Sequence, residues 1–247
     1  MSKVYTNKSD PYIYNEYITE WDIKSANVSL MEYYNLSDND TISRLKGMKK
    51  SKREVAVGLL GRDNHDFMIK LEKAFDDIID LFIKSNNLEP EDILSVKKDS
   101  VFVRNHHIIN NVFGPVEFVN KNTYTGVLLL PKYEFYYNPL KVDVKGINDN
   151  ILFLHDKGIL SFIRNIMECG SKYLEVCIYL HDFIEYYKKR ELDLEYYREF
   201  TTDSSFKVNI GDNILYLSNI DETMIQNVDI SYNFYNIILQ ALKVIIR

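Results

Sequence analysis

Residues 12–22, YIYNEYITEWD, alternate aromatic or apolar with polar side chains, which is the period of a half-buried strand. The strand ends at Trp21 and Asp22. IKSANVSLMEYYNL follows, with Val28, Met31, Tyr34 and Leu36 at helical spacing, so an aspartate stands where a strand hands over to a helix. Over residues 66–86, Phe67, Met68, Leu71, Phe75, Ile78, Ile79 and Phe82 fall on one face and predict a long amphipathic helix that stops at SNNLEP. Residues 93–103, ILSVKKDSVFV, form an apolar run interrupted by Asp99 and its neighbours Lys97, Lys98 and Ser100. After the Gly114-Pro115 turn come strand-like runs at 124–130, 133–137 and 140–146.

From about residue 148 the pattern turns helical. Helices are expected over 156–168 and 172–191, with a shorter one over 194–200; SFKVNIGDNILYLS reads as a hairpin turning at GDN, and 230–246 as a last helix. The expected architecture is α+β: a mixed or antiparallel sheet with packed helices over residues 1–147, then a mostly helical part with one hairpin over 148–247.

Composition narrows this picture without directing it. At 247 residues and 46% apolar content the chain can build a substantial core. The 30 Lys and Arg against 36 Asp and Glu leave a formal charge of −6, so any polyanion site must be local. Cys169 and Cys177 read as reduced core residues in a helical pattern, too few for a structural zinc site. The apolar runs are short of the ~20 residues of a membrane span and no leader pattern opens the chain; the expectation is an intracellular protein, from a bacterium or a phage.

Three features bear on chemistry. Asp99 reads either as a solvated hairpin tip bonded to its own backbone or as a carboxylate kept for a metal or a proton, because burying an unpaired charge is costly. Asp22 and Ser25 read either as helix caps or as site residues. RLKGMKKSKR, residues 44–53, carries Arg44, Lys46, Lys49, Lys50, Lys52 and Arg53 without an acid, and reads either as a solvated face or as a phosphate-binding segment.

In their order these features resemble the palm of DNA polymerases, most closely family B of the phage or viral type, in a minimal or degenerate form. That family's first palm motif, Asp-x-x-Ser-x-Tyr-Pro-Ser, is matched by Asp22, Ser25 and Ser29, with Asn27 and Val28 in place of Tyr and Pro. The fingers motif, Lys-x-x-x-Asn-Ser-x-Tyr-Gly, is similar to residues 53–61, with Arg53 where the lysine stands and Val57 and Leu60 departing from Asn and Tyr. Asp-Thr-Asp-Ser corresponds to residues 97–100, keeping the second acid as Asp99 and replacing the first by Lys97. Residues 141–146, KVDVKG, look like the Lys-Gly element leading into the thumb.

The resemblance implies a palm-like first domain with reduced fingers near 37–61 and a thumb-like second one. It implies Asp22 and Asp99 as catalytic ligands of Mg²⁺ or Mn²⁺ in a two-metal mechanism of template-dependent nucleotidyl transfer. Ser25, Asn27, Lys49 and Arg53 would meet a nucleoside triphosphate, and Lys50, Lys52 and Lys145 a primer–template. The alternative is an inactive nucleic-acid-binding or structural subunit of a phage replication or transcription complex, with other proteins of that assembly as partners. The two part on geometry: carboxylates within reach of shared metal favour catalysis, whereas Lys97 or Lys98 paired with Asp99 favours the inactive subunit. A third reading takes the paired tyrosines (33–34, 136–137, 186–187, 196–197) as an aromatic interface, against one ring of each pair packing inward. Adjacent His106 and His107 on a strand would point to opposite faces and share no metal.

Overall fold

A computed structural model describes residues 4–170, 173–200, 205–216, 218, 220 and 222–246. Strands β1 (Tyr5–Thr6) and β2 (Tyr12–Ile23) are followed by helices α1 (Ala26–Tyr33), α2 (Asn39–Lys46), α3 (Lys50–Asp63) and α4 (His65–Ser85). Then come β3 (Ile93–Val96), β4 (Ser100–Arg104), β5 (Val112–Phe113), β6 (Val116–Leu129), β7 (Glu134–Asn138) and β8 (Lys141–Lys145). The C-terminal part holds α5 (Asp149–Glu168), α6 (Tyr173–Lys189), the hairpin β9 (Lys207–Ile210) and β10 (Asn213–Tyr216), and α7 (Tyr232–Ile245). The fold is α+β, an antiparallel sheet with seven described α-helices and a helical C-terminal part.

The chain divides into two compact units, residues 1–8 with 17–123 and residues 9–16 with 124–247. Residues 124–147 belong to the second unit.

In the first unit the strand order is β1-β3-β4-β2-β6, with β5 on β6. α4 covers one face of these strands because its apolar residues recur every three or four positions, burying Phe67, Leu71, Phe75, Ile78, Ile79 and Phe82. Asn64 caps the helix, its Oδ1 accepting from Phe67 N at 3.1 Å, and Asp66 and Lys84 oppose the helix dipole at its two ends. Phe82 stacks on Phe118 of β6, ring centroids 4.2 Å apart, and lies 6.1 Å from the ring of Trp21. Its truncation to alanine would cost about 3–5 kcal/mol.

Buried Asn86 ends α4: its Nδ2 donates to Phe82 O and Asn110 O, and its Oδ1 accepts from Ile109 N and Asn110 N, tying down the loop after β4. In that loop His106 bridges Asn86 O at 2.9 Å and Asp92 Oδ2 at 3.4 Å, a local structural role. Of the two glycines of α3, Gly61 sits where α3 approaches α4, with Met68 Sδ filling the place where a Cβ would stand, whereas Gly58 has open space.

In the second unit the order is β2-β6-β7-β8, backed by α5, α6 and α7. The core is aromatic: Tyr187 and Tyr197 stack at 4.9 Å and 4°, with Phe162, Phe183 and Phe234 around them. Tyr197 Oη donates to Tyr187 O and Tyr187 Oη to Ser231 O, so both buried hydroxyls are satisfied. Gly170 ends α5 at φ 68°, where a Cβ would meet the Tyr14 ring at 2.9 Å, so glycine is required there. α5 starts at Asp149, earlier than expected, because Asn148 Oδ1 accepts from Asn150 N and caps it. Lys172, the expected start of the next helix, lies outside the described residues. Cys169 and Cys177 are free thiols, each only partly buried. Tyr186 is exposed beside buried Tyr187, but Tyr136 and Tyr137 are both buried, so the tyrosine pairs do not make one aromatic surface.

Candidate functional site

The site begins with the alternation of β2. Trp21 Nε1 donates to Thr19 Oγ1 at 3.0 Å on the face covered by α4, which turns Glu20 and Asp22 to the opposite face. Opposite Asp22 the partner strand is turning. Lys97 N donates to Ser100 O at 2.8 Å, closing a tight β3–β4 turn with Lys98 and Asp99 at its tip. Asp99 is therefore in a hairpin turn, as its tip reading requires, and not within a strand.

The turn nevertheless delivers Asp99 to Asp22. Asp22 pairs with Ser100 in the β2–β4 register, and Ile23 N donates to Asp99 O at 2.9 Å, so two aspartates 77 positions apart come together at one end of the sheet. Burial, then the charge of Asp99, then that of Glu20 push the Asp22 carboxyl above the usual carboxylate range, with Lys121 opposing them.

Lys121 comes from β6. Its Nζ lies 3.5 Å from Asp22 Oδ2 and 3.9 Å from Glu20 Oε1, and although burial works against its charge, Asp22 and Glu20 raise its pKa overall. Glu20 is buried, and its Oε2 also accepts from Asn122 Nδ2. The lysines beside Asp99 reach elsewhere: Lys97 Nζ donates to Thr6 Oγ1 at 3.2 Å, and Lys98 Nζ sits 5.0 Å from the centre of the Phe75 ring. The cation nearest the carboxylates is thus Lys121, and neither it nor Glu20 is among the residues that the sequence motifs single out. Period two along β2 is the signal that points to Glu20; for Lys121 it is the single basic residue in VEFVNKNTY, once that segment is taken as strand.

Asp22 and Asp99 open on a cavity of about 320 Å³ that Ser25, Asn27, Lys50 and Arg53 also line. Ser25 is the N-cap of α1, in left-handed backbone at φ 53°, and its side chain makes no capping bond. The first N–H groups of α1 have no partner within the helix and make a positive end. Ser29 is turned inward, its hydroxyl on the carbonyls of Lys24, Ser25 and Ala26. A second cavity of about 370 Å³ shares Lys24, Ser25 and Arg53 and is flanked by the Lys24–Glu117 and Lys46–Glu32 ion pairs.

Of the residues singled out from sequence, the fold brings Asp22, Asp99, Ser25, Asn27, Lys50 and Arg53 to one cavity. Lys49 is the N-cap of α3, and Lys52 is exposed on that helix. Lys145 lies in β8 of the second unit, paired with Glu134. Among the described residues no three His, Cys, Asp or Glu side chains are grouped as a metal site, and no helix is long and apolar enough to cross a membrane.

A family model described as "Bacteriophage PBS1 gene 130 protein" matches residues 2–247. Comparison with curated proteins gives no match. Among solved structures, the family B DNA polymerase from the hyperthermophilic archaeon Pyrobaculum calidifontis is similar to this chain at a TM-score of 0.52 and 13% identity. The match covers 96% of this chain and 45% of that one, so this chain spans less than half the polymerase's length, and at this identity the likeness is one of fold.

Proposed function

The chain belongs to the Bacteriophage PBS1 gene 130 protein family, and we propose that it is a polymerase-like palm that carries out template-dependent nucleotidyl transfer. One observation carries the reading: Asp22 and Asp99 meet on the same cavity as the N-terminus of α1 and Arg53. The donor chemistry fits a divalent cation. Burial, then the charges of Asp99 and Glu20, leave Asp22 with a raised pKa even beside Lys121, and carboxylate oxygens suit Mg²⁺ or Mn²⁺. Asp22 and Asp99 would hold it. The chemistry it would supply there is Lewis-acid activation of a primer 3′-hydroxyl and neutralisation of charge on the departing phosphates.

The chain's own residues do the rest. Arg53 offers forked donors and Lys50 a point charge to triphosphate oxygens, and the free N–H groups of α1 point at the same anion. Ser25 and Asn27 shape the wall that a nucleotide would meet. Lys49 and Lys52 extend the positive charge along α3 toward a primer–template; Lys145 is assigned only through its match to the Lys-Gly element.

A second reading, binding of nucleic acid without turnover within a phage replication or transcription assembly, is favoured by the ion pair between Lys121 and Asp22. Extension of a labelled primer–template by one nucleotide, with Mg²⁺ or Mn²⁺, separates the two. Incorporation that Asp22→Asn and Asp99→Asn each abolish supports catalysis; primer–template binding with no incorporation by the unmodified chain supports the second reading.

A further inference from the structure

We propose that Lys121 is an internal cation that competes with the divalent metal for Asp22, so that metal enters the site as the lysine withdraws. The inference rests on the metal-binding reading above and adds a component to it. The carboxylates are more enclosed than the ammonium. The Glu20 side chain is 2% exposed and that of Asp22 25%, both on the hydrogen-bonded strand β2, whereas the Lys121 side chain is 51% exposed on a four-carbon stem. Asn122 also holds Glu20, so Lys121 is not needed to keep that carboxylate in place.

The contacts are those of a counter-ion rather than a tight structural pair. The ammonium stands 3.5 Å from Asp22 and 3.9 Å from Glu20, long for charge-assisted hydrogen bonds. Among the described residues its swing into solvent breaks these two contacts, and partly exposed pairs contribute little to stability. Lys121 is the cation in contact with Asp22 and Glu20, and its withdrawal frees Asp22 for a divalent ion on the cavity that Asp22 and Asp99 share with Lys50 and Arg53. With the ammonium in place, an arriving cation meets a like charge at short range and loses part of its attraction to Asp22.

The test uses the full chain and Mn²⁺ alone, with free ion measured by its paramagnetic resonance signal. Lys121→Met should bind Mn²⁺ about tenfold or more tightly than the unmodified chain, since removing one like charge at this range changes affinity by at least that factor. Lys121→Arg should stay within about threefold of the unmodified chain, because it keeps the charge. In EDTA the Met variant should melt below the unmodified chain, and saturating Mn²⁺ should raise its Tm by more. If the Met variant fails to fold, Lys121→Gln takes its place. Equal or weaker Mn²⁺ binding by a folded neutral variant overturns the role of Lys121 and leaves the metal site standing. No Mn²⁺ binding by either protein overturns both.

Discussion

Asp22 in the first unit and Asp143 in the second are equally placed by exposure, their side chains 25% and 29% accessible, yet their surroundings treat them oppositely. Asp143, on β8, accepts from Tyr124 Oη at 2.5 Å and pairs with Lys141 Nζ at 2.7 Å. Burial alone would raise its pKa, but the Lys141 and Tyr124 hydrogen bonds bring it below the usual range. Asp22 has Lys121 at 3.5 Å, and burial with the Asp99 charge wins, so its pKa rises. Burial does not tell a structural carboxylate from a functional candidate here. Satisfaction does: hydrogen bonds from Lys141 and Tyr124 bring Asp143 down, whereas Lys121 does not offset what burial and the Asp99 charge do to Asp22.

The largest expected difference is in catalysis. Asp22→Asn or Asp99→Asn should lower nucleotide incorporation by roughly a thousandfold or more, since several kcal/mol of charge stabilisation go with the metal. Asp143→Asn should leave incorporation within a few-fold of the unmodified chain; an equal loss there would break the comparison.

Next in size is the effect on nucleic-acid binding. Replacing Lys49, Lys50 and Lys52 by Gln should weaken primer–template binding and make log K against log salt shallower by about 0.7–0.9 for each phosphate that a lysine no longer neutralises, read by fluorescence titration. Curves that superimpose would mean α3 carries only a solvated face.

Smaller shifts concern stability, and here the signs oppose. The lowered pKa of Asp143 contributes stability that is present above the ordinary aspartate value near 3.9 and is lost as pH falls through the folded value. Tyr124→Phe should therefore cost about 1–3 kcal/mol at neutral pH, a Tm drop of several degrees by circular dichroism, with the deficit shrinking in acid. For Asp22 the folded pKa is raised, so its contribution is present below the ordinary value and lost as pH rises through the folded one. In metal-free buffer Asp22→Asn should melt slightly higher than the unmodified chain at pH 7, and the gain should vanish below about pH 4.

Strong periodicity is what the sequence makes legible. β2 and α4 stand within a residue of where alternation and helical spacing put them, because their apolar positions keep one regular period over many residues. Of β6, only the part from Tyr124 onward has a strand-like pattern. Its first half carries Asn120, Lys121, Asn122 and Thr123, polar on both faces, and is strand because its neighbours supply the ladder rather than because its own pattern demands it. Lys121 lies in that half and stays hidden with it. Asp22, Asp99 and Arg53 stand out as isolated charges in apolar or basic contexts, but their convergence depends on the β2–β4 register and on the turn at Lys98-Asp99, and single-chain periodicity carries no information on register. The lysine at position 97, where the family has an acid, suggests a site blocked by its own lysines; Lys97 and Lys98 instead reach Thr6 and Phe75.

If Asp22 and Asp99 together hold a divalent cation, a crystal of the chain grown with Mn²⁺ and a non-hydrolysable nucleoside triphosphate will show it directly through the anomalous signal of manganese. The expected result is a peak within coordinating distance of both carboxylates, with phosphate oxygens toward Arg53 and Lys121 drawn off Asp22. An ammonium still seated on Asp22, with no anomalous peak beside Asp99, would contradict it.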